Sequence, residues 1–126
     1  MVVCDTNVFI SAFNGIENAM EILDRIGYSN VLISFISVME LYRGMKNKKQ
    51  LGQMAKKIKS YNVVDFNEAI SRRSVELMRQ YKLSHNLDIP DAIIAATCVV
   101  FDIPLFTYNI KDFKFIPNIK LYQPLI

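Results

Sequence analysis

Three acidic residues of this 126-residue chain stand where an acid is costly. Asp5 ends the apolar run Val2-Val3-Cys4, Glu40 sits in Ser37-Val38-Met39-Glu40-Leu41, and Asp91 opens Asp91-Ala92-Ile93-Ile94-Ala95-Ala96. A carboxylate at the mouth of a buried element loses hydration unless a partner or a cation meets it. Carboxylates crowded together raise one another's pKa and destabilise the fold unless a cation neutralises them. Oxygen donors with no histidine or cysteine cluster favour Mg²⁺ or Mn²⁺ over zinc. Carboxylate-held divalent metal acting on a phosphate ester is the chemistry that this residue set can support.

Each acid also has a structural reading. Asp5, with Thr6 and Asn7, can bond to nearby backbone and cap the turn after a strand. Ser37 to Glu40 matches a capping box, in which the glutamate reaches back to the cap residue's N–H. Asp91 lies in the first turn of a helix, where the dipole favours a carboxylate. Asp112 stands in a polar loop, and Asp88 reads as an N-cap. The case for a site lies in the combination. Rival chemistries lack their residues. His85, the only histidine, has no partner by spacing and is expected on the surface or in a loop. There is no Gly-x-Ser-x-Gly elbow, no cysteine–histidine pairing and no phosphate-binding glycine loop. Cys4 and Cys98 fall within apolar runs and read as small buried hydrophobes, without metal-ligand spacing or a sign of secretion.

The elements that must carry these residues follow from periodicity. Residues 1–4 form a short apolar strand. Ile16, Ala19, Met20, Leu23 and Ile26 mark an amphipathic helix stopped by Gly27. Val31-Leu32-Ile33 is a second strand, followed by a helix that carries Glu40 and ends near Gly44. Leu51, Met54 and Ile58 mark another helix with its lysines on the opposite face, and residues 62–64 suit a short strand. Asn67 caps a helix along Ile70, Leu77, Met78 and Tyr81. The next begins near Asp88, tolerates Pro90 in its first turn, and is apolar nearly all round over residues 92–100, which predicts a central buried helix. Residues 104–107 form a buried strand, and residues 119–122 are expected to close the sheet. This alternation predicts one α/β domain over residues 1–126, with a parallel sheet and helices on both faces. Such sheets hold their sites outside the carboxyl ends of the strands. Asp5 follows the first strand there, and Asn109 and Asp112 follow the strand at 105–107.

At 52% hydrophobic the chain can build a real core and is not disordered. So apolar a small domain is expected to bury part of its surface in an oligomer or on a bound protein. No apolar stretch reaches the roughly 18 residues of a membrane span and no signal-peptide pattern is seen, so a cytoplasmic protein is expected. The net charge of +3 is uneven. Arg43, Lys46, Lys48, Lys49, Lys56, Lys57 and Lys59 crowd just after Glu40, either as the solvated face of a helical hairpin or as a surface that follows phosphates.

These motifs resemble the PIN-domain ribonucleases, in particular the VapC-like toxins of toxin–antitoxin pairs. The resemblance covers nearly the whole chain: Asp5-Thr6-Asn7 after the first strand, residues 34–44 with Glu40-Leu41 and a following glycine, Asp91 to Ala96, and residues 105–113. It implies a three-layer α/β/α domain with a mainly parallel sheet and an acidic pocket for Mg²⁺ or Mn²⁺. Asp5, Glu40 and Asp91 match the family's three core acids. Many relatives have aspartate where this chain has Asn109, while Asp112 matches a second acidic position. Asp112 is therefore carried as the fourth catalytic and metal-binding acid, and Asn109 as a neutral or water-mediated ligand. Thr6, Asn7 and Thr107 match polar neighbours that orient the carboxylates.

The implied activity is endoribonucleolytic hydrolysis leaving 5′-phosphate and 3′-hydroxyl ends, with Asp91 or Asp5 positioning the attacking water. Arg43, Lys46, Lys48 and Lys49 would hold the RNA backbone. A homodimer and a cognate antitoxin that covers the acidic groove are implied as partners. Two other classes stay in view. A phosphohydrolase of the haloacid-dehalogenase kind also places Asp after its first strand, but needs a second aspartate where this chain has Asn7. A catalytically weak scaffold that binds RNA without cutting it accords with Asn109 in place of an acid.

Overall fold

The computed structural model describes residues 1–124, so the last two positions of the expected domain lie outside the described residues. Four strands, β1 (Val2–Cys4), β2 (Val31–Ser34), β3 (Asn62–Val64) and β4 (Leu105–Phe106), form a sheet of order β3-β2-β1-β4. Every pairing is parallel, with Val3 opposite both Leu32 and Leu105. The central strands β1 and β2 are buried throughout, whereas edge strand β3 exposes Asn62 and Val63.

Side chains alternate between the two sheet faces, as the period of two requires. Val2, Cys4, Val31, Ile33 and Phe106 face a core that holds Phe9, Leu23, Leu41 and Ile58. These come from α1 (Thr6–Phe13), α2 (Glu17–Ile26), α3 (Phe35–Arg43) and α4 (Lys48–Ile58). Val3, Leu32 and Leu105 face the opposite core, with Ile70, Leu77, Ile94 and Phe113. That side is built by α5 (Glu68–His85), α6 (Ile89–Phe101) and the 3₁₀ turn Ile110–Asp112 with the chain that follows. The result is the expected three-layer α/β/α arrangement. As its composition predicts, α6 is the central helix, with Ala92 and residues 94–98 buried.

Local chemistry sets the helix ends. Asn67 Oδ1 accepts from the Ile70 N–H at 2.8 Å, and Asp88 Oδ1 from the Ile89 N–H at 2.9 Å, so both predicted caps form. Gly27 follows α2 at φ 87°, a conformation open to glycine.

Three features differ from expectation. Helix α1 was not foreseen: Asp5 ends β1 and caps α1 at once, leaving no connecting residues to mark a boundary. The capping box at Ser37–Glu40 does not form. Ser34 is the N-cap, its Oγ accepting from the Ile36 N–H at 3.3 Å, and Ser37 lies inside α3 with its hydroxyl turned to Thr6. Finally, residues 119–122 add a single parallel bridge, Leu105 to Leu121, rather than a full strand. Asn118 turns through φ 66° just before them and Pro124 follows, which confines the pairing to a few residues.

Candidate active site

Because the strands run parallel, β1, β2 and β4 deliver their chain ends to one rim. Asp5 caps α1 there, Ser34 starts α3, and Thr107 follows β4. Glu40 projects from α3 about one and a half turns beyond its start, and Asp91 from the first turn of α6. Asp5, Glu40 and Asp91, which come from three separate segments, line one cavity of about 290 Å³ together with Asn7, Arg43 and Asn109.

Asp5 is 5% exposed, and both of its oxygens are engaged. Oδ1 accepts from the Thr6 N–H at 2.9 Å and Oδ2 from the Thr107 hydroxyl at 2.8 Å. Thr107 Oγ1 in turn accepts from the Asn109 N–H at 3.0 Å, so one hydroxyl fixes both the acid and the loop after β4. Across the cleft the Thr6 hydroxyl donates to Glu40 Oε1 at 2.9 Å and lies 2.7 Å from Ser37 Oγ. A hydroxyl has one proton. Thr6 gives its proton to Glu40, so Ser37 donates to Thr6. Ser37 is fully buried and three residues before Glu40, one turn away on the same face. It is a polar neighbour of the site that the sequence reading took for a helix cap.

The electrostatics record the crowding. Burial pushes the Asp5 carboxyl above its ordinary range against the lowering effect of its hydrogen bonds, and Glu40 and Asp112 add to the rise. Asp91 is pushed up to about 7, first by burial and then by Asp5, Asp112, Asp88 and Glu40. Asp112 itself is exposed at the end of its 3₁₀ turn; it acts on the cleft through its charge, while Asn109 lines the wall. Among the described residues, the one cation on the wall is Arg43, whose Nη2 stands 3.8 Å from Glu40 Oε2; its side chain is 80% exposed, so the contact is a weak surface pair. Asn7 is exposed at the rim.

The other basic candidates stand farther out. Lys46 lines the adjoining cavity, and Lys48 and Lys49 occupy the exposed first turn of α4. Cys4 offers no thiolate, its pKa being pushed up to about 12 by burial and by Asp5, and burial raises Cys98 as well. His85 ends α5 on the surface, stacked on Phe115 with ring centroids 4.0 Å apart.

Among the described residues, no three acidic, histidine or cysteine side chains close on a single metal position. Thr6 bonds both Asp5, through its N–H, and Glu40, through its hydroxyl, and unneutralised carboxylates repel. The donor set nevertheless fits a hard divalent cation: oxygen ligands alone, gathered in one polar cleft, two of them, Asp5 and Asp91, with proton affinities raised by burial and by neighbouring acids.

The PIN-domain family profile matches residues 2–117. The chain is 32% identical over 122 residues to Ribonuclease VapC10 of Mycobacterium tuberculosis, an overlap covering 95% of this chain and 91% of that protein. A toxin–antitoxin complex from Klebsiella pneumoniae contains a chain that superposes with a TM-score of 0.80 at 32% identity, covering 94% of this chain and 95% of the other. VapBC2 from Rickettsia felis, solved with a DNA fragment from its promoter, superposes with a TM-score of 0.74 at 28% identity, covering 97% of this chain and 98% of the other. The chain therefore belongs to the PIN-domain family, among its VapC ribonucleases.

Proposed function

We propose that this protein is a divalent-metal-dependent endoribonuclease, the toxin of a VapBC-type pair. The reading rests on one observation above the rest: Asp5, Glu40 and Asp91, remote in sequence, line a single cleft in a chain of VapC type. Its substrate is RNA, and its partner is an antitoxin protein, the component that accompanies the toxin in the related complexes. A homodimer belongs to the same reading. The exposed apolar side chains of Phe66, Val75 and Ile89 give such a contact apolar surface to bury. No described helix is long and apolar enough to cross a membrane.

Asp5, Glu40 and Asp91 would hold the Mg²⁺ or Mn²⁺, with Asp112 contributing charge at the edge and Asn109 a neutral oxygen. When bound, the cation would acidify water and offset charge on the phosphate oxygens. The protein's own groups do the rest. Thr107 orients Asp5, and Thr6, backed by Ser37, orients Glu40. Asp91 or Asp5 takes the proton of the attacking water. Water rather than the ribose 2′-hydroxyl is the nucleophile, so the products carry 5′-phosphate and 3′-hydroxyl ends. Arg43 stands beside the cleft to meet a phosphate, and Lys46, Lys48 and Lys49 continue the positive surface outward.

The reading is tested on defined single-stranded RNAs with Mg²⁺, Mn²⁺ or EDTA. Cleavage should require the cation and disappear in Asp5→Asn and Asp91→Asn, with both variants folded by circular dichroism. Undiminished cleavage by either variant would overturn the assignment. Tight RNA binding without cleavage under any of these cations would instead favour the scaffold reading that Asn109 keeps open.

A further inference from the structure

Among the described residues, no aromatic side chain lines the acidic cleft; its walls are carboxylates, amides, Thr6, Ile10 and the Arg43 guanidinium. Such a surface meets metal and phosphate but gives a base nothing to stack on. An exposed ring stands directly beside it, at Tyr108.

The register of β1 and β4 places that residue. Cys4 lies opposite Phe106, and the Asp5 N–H donates to the Phe106 carbonyl at 2.9 Å. Asp5 and Thr107 therefore leave the sheet side by side, joined by the 2.8 Å bond from the Thr107 hydroxyl. Tyr108 is the next residue, one Cα step of about 3.8 Å further on. Asn109 after it is on the cleft wall, its N–H returned to Thr107 Oγ1 at 3.0 Å. Tyr108 is thus bracketed by two residues tied to the site. Strand order β3-β2-β1-β4 puts its backbone on the side of Asp5 away from Glu40 and Arg43, which follow β2.

The ring is both held and open. It meets Phe106 in a T-shaped contact at 5.3 Å between centroids and 72° between planes. Phe106 is buried and braced in turn by Tyr122 at 6.0 Å, whereas Tyr108 is 44% exposed. Shielding the sheet edge does not account for it. Residues 120–122 already cover β4: the Leu105 N–H donates to the Lys120 carbonyl at 2.8 Å, and the Tyr122 N–H to the Leu105 carbonyl at 2.7 Å. An apolar lid on Phe106 would need no aromatic face.

We propose that Tyr108 is a base-stacking platform beside the cleft, receiving the base of a nucleotide that flanks the scissile phosphate of single-stranded RNA. The inference rests on the cleft being the place where RNA is cut. Arg43 then meets phosphate on one flank while a base settles on the other. Every base has a π-face, so Tyr108 fixes the position of the chain rather than the sequence of the cut.

Two variants separate the ring from its other roles. Tyr108→Leu keeps an apolar group over Phe106 and removes the ring; Tyr108→Phe keeps the ring and removes the hydroxyl. Tyr108→Leu should raise KM for a short RNA roughly fivefold to tenfold with kcat little changed, and Tyr108→Phe should stay within about twofold of wild type. Fluorescence anisotropy in EDTA should show the same order of affinities. A scan of wild type with one abasic nucleotide moved along the substrate needs no variant. It should find one sensitive position beside the scissile bond, where Tyr108→Leu shows no further loss. Cleavage with no such position, or with equal KM in Tyr108→Leu and wild type, would overturn the platform and leave the nuclease intact. Equal losses in both variants would give the contact to the hydroxyl and overturn stacking as well. Ring-dependent binding in EDTA without cleavage under any cation would sustain the platform while removing the nuclease reading.

Discussion

Asp5 shows how one side chain can serve the fold and the site together. Its two oxygens cap α1 and receive the Thr107 hydroxyl, and its position puts it on the wall of the cleft. The neighbouring hydroxyls of Thr6 and Thr107 hold the acids by hydrogen bonds. Thr6→Val keeps the shape but removes the proton given to Glu40, and Thr107→Val does the same for Asp5. Each should lower metal affinity, measured by calorimetry, roughly 10- to 100-fold, as removal of such supporting groups does. Unchanged affinity in both would show that the carboxylates orient themselves. The raised carboxyls also set a pH dependence in the metal-free protein. Asp91 ordinarily loses its proton near 3.8 but keeps it to about 7 in the fold. Its neutral form thus favours the native state fully below about pH 4, and this contribution is lost as pH rises through 7. The melting temperature in EDTA should fall over that interval, and saturating Mg²⁺ should flatten the fall. A metal-free curve that rises instead would contradict the crowding of these acids.

Elements with a single task were readable from the chain. Asn67 and Asp88 cap the helices they precede, and the apolar run after Asp91 is the buried central helix. Elements whose boundary residues do two jobs were not. Asp5 suits a site acid or a turn cap equally well by sequence, and neither role marks the helix that it starts without a linker. Ser37 and Glu40 have the spacing of a capping box, but that spacing is also one helical turn. Only the tertiary approach of Thr6 decides that Ser37 looks inward. For the same reason the convergence of the three acids was legible as order and spacing, whereas the hydroxyl relay that fixes them was not. The caps carry their own test. Asp88→Ala removes the bond to the Ile89 N–H and should cost about 1 kcal/mol in urea unfolding. It also removes one of the charges that raise Asp91, so the pH dependence of stability should weaken slightly. A loss of cap energy with no change in the pH profile would mean that burial and the other acids hold Asp91 up without Asp88.

Over the whole molecule, positive charge is laid beside a negative hollow. Asp5, Glu40 and Asp91 line the cleft at the sheet's rim, and the lysines after Glu40 lie on α4 and its approach. Lys48 and Lys49 occupy the first turn of α4, where no acid is present to satisfy the helix dipole. Cations are disfavoured at that end by about 0.3–1 kcal/mol each, so they do not serve the helix. They make a positive surface that suits a phosphate chain leaving the cleft. Reversing Lys46, Lys48 and Lys49 to glutamate should therefore weaken RNA binding strongly at low salt and little at high salt. Each lost phosphate contact removes about 0.7 from the slope of log affinity against log salt for a single strand, so the slope should flatten by up to roughly 2. Fluorescence anisotropy in EDTA from low to high salt measures this without cleavage. An identical slope in the triple variant would return these lysines to solvent and confine RNA contact to the cleft and its rim.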